Sequence, residues 1–263
     1  RRVAEALEAV YANKLDAVSG QIAAHYEHAG LIQQAISYYQ RAGKVALQVY
    51  ANAEAIASFQ KALMLLETTA PSVAKREISA QLPEQVGDVF YLTGQNEEAR
   101  GAYQQALSQV LEQERTWQAC LQRKVAKIWE TLRKYEEALN AYSMAENALG
   151  DPPVRDAQWW QEWIEIQVGR IDVYYWQAQV QRMTEVVKKT GVAVEEHGTA
   201  DQRAAFYLSL AGTNLRNDCY VVSDDTLSYA RIALSAYRET GNLIKIALAQ
   251  YIVGFYHLWL GNL

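Results

Sequence analysis

The residues of this chain that could support chemistry are few, and they lie in three short stretches. His25 and His28 are three residues apart, a spacing that places both imidazoles near one face of a helix and could supply half of a metal site. No cysteine, histidine or clustered carboxylate completes that site in the sequence, so ordinary surface or groove histidines are the competing interpretation. The acidic pair in "SDDT", residues 223–226, could bind a metal, but Ser223 followed by aspartates is typical of a helix N-cap.

The third stretch is a run of tryptophans in "WWQEWIEIQVGRIDVYYW". Its apolar residues form two helical stripes, which are Trp160, Ile164, Ile171 and Tyr175, and Trp159, Trp163, Ile166 and Val173. A helix that is apolar on two faces is expected where it lies between neighbouring helices, so core packing is the favoured interpretation of the group, which also includes Trp176. The alternative is an aromatic cage, because tryptophan rings can hold cations or proline-rich peptides.

Common enzyme motifs are absent from the sequence. It contains no G-x-x-x-x-G-K-[ST] phosphate loop and no G-x-S-x-G nucleophile motif. We therefore predict no catalytic residue, no cofactor and no metal, and we expect that the chain is not an enzyme.

Composition favours a helical protein without an affinity for nucleic acid or membranes. Only 4 of the 263 residues are proline, and the net charge of −5 lacks the clustered basic residues that nucleic acid requires. No apolar run approaches the roughly 18–20 residues of a membrane span. Cys120 and Cys219 fit a reducing, cytoplasmic setting better than a disulfide framework. The first residues are "RRVAEALEAV", from which we expect a fragment of a longer protein.

A repeated order of small and aromatic residues predicts the fold. In "GDVFYLTGQNEEARGAYQQAL", residues 87–107, the small and aromatic positions are Gly87, Phe90, Gly94, Ala99, Tyr103 and Ala106. Small residues allow two antiparallel helices to approach, aromatic residues fill the space beside them, and Gly94 ends the first helix in a left-handed conformation. Asn96 is then expected to begin the second helix.

The same order recurs along the chain, although its period drifts from the standard value of about 34 residues. Copies occur in "QIAAHYEHAGLIQQAISYYQRA", in "ANAEAIASFQKALMLL", in "VAKIWETLRKYEEALNAYSMA", where Arg133 replaces the turn glycine, and in "IVGFYHLWLGNL", where His257 takes a packing position and is expected to be buried. Further helices are predicted over 156–176, 179–189, 200–217 and 224–239, joined by "GDPPV", "TGVAVEEHGT" and "NDCYVVSD". Pro83 predicts a kink or a helix start.

The predicted fold class is all-α, a right-handed α-α superhelix of stacked antiparallel helix hairpins. We expect a single array over 1–263. Its parts would be degenerate repeats in 1–68, well-matched repeats in 72–150, divergent repeats in 155–240 and the first helix of a further repeat in 242–263.

These hairpins resemble tetratricopeptide (TPR) repeats, a family of protein-interaction scaffolds. Residues 1–68, with "RRVAEALE", "AAHYEHAG", "AISYYQRAG" and "YANAEAIASFQKAL", also resemble a helical region of bacterial signal-transduction ATPases of the STAND type. That resemblance implies a cytoplasmic parent protein in which a nucleotide-binding domain precedes this segment, with a nucleotide cyclase or a transcription activator at one end. No nucleotide-binding residue of that family has a counterpart in this chain.

The expected function is recognition of a protein or peptide segment, or of an inducer, on the concave face of the array. The ATPase domain of the same parent chain is a further candidate partner. The candidate groove residues are Glu27, His28, Gln81, Glu84, Asp88, Tyr91, Arg123, Lys127 and Glu130, of which Arg123 and Lys127 are expected to face Glu84 and Asp88. The alternative is a spacer or oligomerisation arm whose polar faces are only solvated.

The last predicted helix is apolar nearly all the way round. Its large side chains include Leu243, Ile246, Tyr251, Phe255 and Trp259. Since such a helix requires neighbours on more than one side, we expect either a further repeat or self-association through this helix.

Overall fold

The computed structural model describes residues 1–152 and 154–261, and these residues form thirteen α-helices and no β-strand. The all-α fold class is therefore confirmed. Pro153 of the predicted connection "GDPPV" and the last two residues of the predicted segment 242–263 lie outside the described residues. The chain separates into two compact units, which are unit 1, residues 1–128, and unit 2, from residue 129 onward.

Successive helices pack against one another among the first six helices of unit 1 and among the last six described helices of unit 2. Unit 1 holds α1 (Arg2–Val10), α2 (Leu15–His28), α3 (Ile32–Gln48), α4 (Asn52–Glu67), α5 (Val73–Leu92), α6 (Asn96–Leu107) and most of α7 (Arg115–Thr131). Unit 2 begins within α7 and holds α8 (Tyr135–Leu149), α9 (Ala157–Trp176), α10 (Val180–His197), α11 (Ala200–Asn217), α12 (Asp224–Thr240) and α13 (Leu243–Trp259).

Close helix contacts occur where glycine faces an aromatic ring. A Cβ atom at Gly87 of α5 would lie 2.6 Å from the ring of Tyr103 in α6, so only glycine fits there. Gly43 of α3 faces the ring of Phe59 in α4 in the same way. Because α3 packs against both α2 and α4, one helix serves two successive pairs, which explains the short period near the N-terminus.

Six helix ends in the described part of the chain share one turn geometry, although only two of them use glycine. The second residue after each helix has a positive φ; these residues are Gly30, Tyr50, Gly94, Arg133, Ala178 and Cys219. In each turn the next amide donates back to a carbonyl five residues earlier, as Gln95 does to Phe90 at 2.8 Å. The prediction that Gly94 and Arg133 occupy equivalent turns is confirmed, since their φ angles are +77° and +57°.

Several boundaries differ from the sequence predictions. Helix α10 runs to His197, so most of the predicted connection "TGVAVEEHGT" is helical, because Thr190, Ala193 and Val194 are buried and offset the cost of Gly191. Pro83 lies inside α5, so the predicted alternative of a helix start there is wrong.

The predicted helix caps and buried positions are only partly confirmed by the structure. Ser223 caps α12 as predicted, since its side chain accepts a hydrogen bond from the amide of Thr226 at 3.2 Å. Asn96 is the first residue of α6, but its side chain makes no capping bond. His257 is only half-buried, and the buried aromatic of that turn is its neighbour Tyr256.

Helix α13 leaves much of its apolar surface exposed. Its exposed large side chains are Leu243, Ile244, Leu248, Tyr251, Leu258 and Trp259, with Leu243 at 79% and Tyr251 at 68% exposure. Within the described residues, no helix combines the length and apolar character needed to cross a membrane.

Candidate functional site

A cluster of charged side chains joins α5, α6 and α7 in unit 1. The Nζ atom of Lys124 lies 2.7 Å from Glu84 Oε1 and 2.7 Å from Asp88 Oδ1. Tyr103 Oη donates to Asp88 at 2.8 Å, and Trp117 Nε1 donates to Glu84 at 2.7 Å. Each carboxylate therefore has one neutral donor and shares one ammonium group.

Burial and charge oppose each other at Lys124. Burial alone would lower the pKa of this amine, but the carboxylates of Asp88 and Glu84 outweigh burial and hold the pKa above its ordinary value. Burial, followed by the charge of Asp88, raises the pKa of Tyr103, so this hydroxyl remains a donor throughout the physiological range. The cluster is thus a fixed arrangement of two anions and one cation.

The basic partner at this position is Lys124, whereas the sequence led us to expect Arg123 and Lys127. Successive residues on a helix differ by about 100° of rotation, so a register error of one residue changes which side chain reaches α5. Arg123 and Lys127 are both half-buried on the same helix.

A second, similar cluster surrounds Glu27 of α2. Lys61 Nζ lies 2.7 Å from Glu27 Oε1, and Tyr39 Oη donates to Glu27 Oε2 at 2.7 Å. Although burial alone would raise the pKa of Glu27, the hydrogen bonds from Lys61 and Tyr39 lower it. The glutamate therefore stays ionised, with partners from α3 and α4.

The histidines of α2 differ in exposure. His28 is exposed and His25 is half-buried. Among residues 1–152 and 154–261, no three histidine, cysteine or acidic side chains are grouped so that they could hold a metal ion.

The remaining predicted groove residues are not all brought together. Gln81 donates to Glu77 at 3.2 Å along α5, and Tyr91 is half-buried near the end of the same helix. Glu130 lies in unit 2, where it accepts a 3.0 Å hydrogen bond from Tyr142 Oη. Among the candidates, Glu84 and Asp88 are brought together by a shared ionic partner, Lys124.

Sequence reasoning missed Lys61, Trp117 and Lys124, each of which pairs with a predicted carboxylate. One available signal was spacing, because Glu27 precedes Tyr39 and Glu130 precedes Tyr142 by 12 residues. That interval places the acid and the phenol at the same level of two consecutive helices. The lysines follow no such interval.

Unit 2 contains a separate cavity of about 600 Å³ between α8, α9 and α10. It is lined by Glu146, Asn147, Gly150, Asp151, Arg155, Trp159, Trp160, Trp163, Lys189, Val192, Ala193 and Glu196. Trp159 and Trp163 stack at 6.2 Å between centroids, and Trp160 lies edge-on to both.

The packing interpretation of the tryptophans holds for two of the four. Trp159 and Trp163 are 7% and 8% exposed, whereas Trp160 is half-buried and Trp176 is 61% exposed. The other apolar residues of the two stripes that are fully buried are Ile164, Ile166, Ile171 and Val173. The buried indoles therefore also form the wall of a cavity.

Comparison with known proteins finds one matching family. The family described as "Tetratricopeptide repeat-like domain" matches residues 47–130, from the end of α3 into α7. No sequence among the curated proteins matches the chain.

Two solved structures align with most of the chain at low identity, and the first of them shares its helical fold. The apo form of RapI has a TM-score of 0.56 at 11% identity, over 94% of this chain and 98% of that chain. BtubC (BKLC) from P. vanneervenii has a TM-score of 0.43 at 14% identity, over 94% of this chain and 90% of that chain. The chain is a TPR-like helical domain, a class that generally serves as a protein-interaction scaffold and is typically non-catalytic.

Proposed function

We propose that this chain is the recognition arm of a bacterial signalling regulator, and that it binds a peptide, a protein or an inducer on the concave face of its repeats. The observation that carries the proposal is the cluster of Lys124, Glu84 and Asp88. The side chain of Asp88 is 43% exposed, so the cluster is both held in place and open to a charged partner. Binding would then bias the attached domains between two states.

The candidate surface consists of the predicted unit 1 residues Glu27, His28, Gln81, Glu84, Asp88, Tyr91, Arg123 and Lys127, extended by Lys124. Glu130, in unit 2, is a separate candidate. Fixed charges on helices favour a charged segment, because the protein loses little side-chain entropy when the partner binds.

A binding experiment can test this surface without knowledge of the natural partner. Short random peptides displayed on phage are selected on the intact chain, and the enriched peptides are then measured by calorimetry. Reversal of Arg123 and Lys127 to glutamate is expected to lower the affinity of the selected peptides by at least about tenfold. The charge-matched control reverses Lys14 and Lys44, which are exposed away from these clusters, and should leave affinity unchanged. Equal losses in both variants would reject the surface.

A structural spacer is the second candidate function, and one observation favours it. Glu27 already bonds Lys61 and Tyr39, and Asp88 already bonds Lys124 and Tyr103, so these carboxylates contribute to the packing of the unit itself. If the selection yields no peptide that depends on the surface, the spacer function is preferred.

The parent protein is proposed to be a cytoplasmic ATPase of the STAND type, on the resemblance of residues 1–68. The reading frame of the gene upstream of this segment tests the proposal. It should encode a phosphate-loop motif, G-x-x-x-x-G-K-[ST], followed by a winged-helix segment. A frame that encodes unrelated domains would reject this parent.

A further inference from the structure

The tryptophan cavity of unit 2 contains cations that belong to the chain itself. The guanidinium of Arg155 lies 4.9 Å from the ring centroid of Trp159 and 5.2 Å from that of Trp160. Lys189 Nζ lies 5.3 Å from the centroid of Trp163. The ring faces that would otherwise attract a cationic ligand are therefore already in contact with positive charge.

The carboxylate partner of Lys189 is Glu146, which also has other hydrogen-bond donors. Glu146 accepts hydrogen bonds from Arg170 and, at 3.1 Å, from Gln167, in addition to a 3.2 Å bond from Lys189. If Lys189 turned towards a ligand, Glu146 would keep its two other donors. Since the Lys189 side chain is 57% exposed, its ammonium can move at little cost.

Arg155 is held at the mouth of the cavity. Its Nε and Nη2 atoms lie 3.1 and 2.6 Å from Asp151 Oδ1, and the Asp151 side chain is 76% exposed. Arg155, Asp151 and Trp160 also line a second opening of about 540 Å³ beside the first. A ligand that enters from this side meets the guanidinium before it reaches the indoles.

From these observations we propose that the cavity binds an aromatic ring that carries a carboxylate, with the ring against Trp160 and Trp163 and the acid between Arg155 and Lys189. A volume of about 600 Å³ is in the range of ligand sites and exceeds what one ring requires. Edge-to-face contact with the indoles stabilises the ring, and both cations stabilise the acid. This site is separate from the unit 1 surface of the proposed function.

An organic cation is the competing ligand, and the geometry disfavours it. To reach an indole face, a cation would have to displace Arg155 or Lys189 and accept their repulsion. Of the three acids that line the cavity, Glu146 and Asp151 are already paired with Lys189 and Arg155. The third, Glu196, is exposed, so it offers a cation only a screened interaction.

The carboxylate could belong to a small aromatic acid or to the C-terminal phenylalanine of a peptide. The probes are phenylacetate, phenethylammonium and 2-phenylethanol, which share a ring and differ in charge, together with acetyl-Gly-Phe as the free acid and as the amide. Each is titrated into the whole chain by calorimetry at neutral pH. Phenylacetate should bind at least about tenfold more tightly than the amine or the alcohol. Tighter binding of the peptide acid identifies a peptide source, and tighter binding of phenylacetate identifies a small molecule.

Two neighbouring lysines supply matched variants. Lys189→Gln should lower the affinity for phenylacetate by about tenfold. Lys188 is exposed, one residue away, and does not line the cavity, so Lys188→Gln should change that affinity by less than about twofold. Trp160→Leu, checked for folding by circular dichroism, should also lose binding. The proposal is overturned if phenethylammonium binds as tightly as phenylacetate, if both lysine variants lose affinity equally, or if no probe binds at millimolar concentration.

Discussion

The phenol of Tyr103 in α6 donates a 2.8 Å hydrogen bond to Asp88 in α5, and the same relationship recurs in other helix pairs. Other tyrosine–carboxylate pairs of this kind are Tyr39 with Glu27, Tyr142 with Glu130 and Tyr207 with Glu195. In each, a tyrosine of one helix bonds an acid of the helix before it. The bond lets a large ring fill the space between two helices while its polar end remains paired.

Removal of one such hydroxyl should cost stability in proportion to burial. Tyr103→Phe leaves the ring in place but deprives Asp88 of a donor, so we expect a loss of about 1–2 kcal/mol in the free energy of unfolding. Tyr207→Phe, whose bond to Glu195 is exposed, should cost less than about 0.5 kcal/mol. Urea denaturation measures both. Equal effects would mean that the partly buried hydrogen bond of Tyr103 contributes no more stability than the exposed one of Tyr207.

Two glycines of one helix pair should respond to alanine in opposite directions. At Gly87 an added Cβ would lie 2.6 Å from the Tyr103 ring, so Gly87→Ala should destabilise by about 1–3 kcal/mol. At Gly101, in the middle of α6, no atom lies within 4 Å of the added Cβ. Gly101→Ala should therefore stabilise the helix by about 0.5–1 kcal/mol. Thermal and urea unfolding test the pair, and the same sign at both positions would contradict this packing.

Loss of the ammonium at Lys124 should be among the most damaging single changes in unit 1. Lys124→Met leaves Glu84 and Asp88 without their shared cation, and we expect a loss of about 2–4 kcal/mol. Adding Asp88→Asn should restore part of that loss, because the amide oxygen still accepts from Tyr103. Lys44→Met, on the exposed surface of α3, is the control and should change stability by less than about 0.5 kcal/mol. A Lys124 variant as stable as the control would show that this cluster is not coupled to folding.

Acid should weaken unit 2 through Glu146. Burial alone would raise the pKa of this carboxyl, but Arg170 and Lys189 outweigh burial and hold it below the ordinary value of 4.5. A carboxyl with a lowered pKa in the folded state contributes stability above its unfolded pKa, and that contribution is lost as pH falls through the folded value. Wild type should therefore exceed Glu146→Gln in stability at pH 7, and the difference should shrink below about pH 4.5.

Urea denaturation at several pH values, followed by tryptophan fluorescence, measures this difference. Glu137→Gln, an exposed change on the same helix, is the control. The assigned ion pairs would be contradicted if the difference in the free energy of unfolding between wild type and Glu146→Gln stayed constant or widened as pH falls.

Local patterns in the sequence determined the helices and many of their contacts. The interval between Gly87 and Tyr103 predicts a close helix pair because size and spacing act within one hairpin. Likewise, Ser223 predicts the start of α12 because a cap involves only the next three residues. These effects depend on neighbours in the chain, so the chain alone reveals them.

The tertiary structure decided what depends on helix rotation and on distant segments. It places Lys124 between Glu84 and Asp88, and about 100° of rotation between adjacent residues on α7 decides which side chain points there. It also forms left-handed turns at Tyr50 and Ala178, where packing of the adjoining helices overrides the residue preference. The cavity of unit 2 draws its wall from Glu146 to Glu196, across three helices and a loop, and no local spacing in the sequence encodes that assembly.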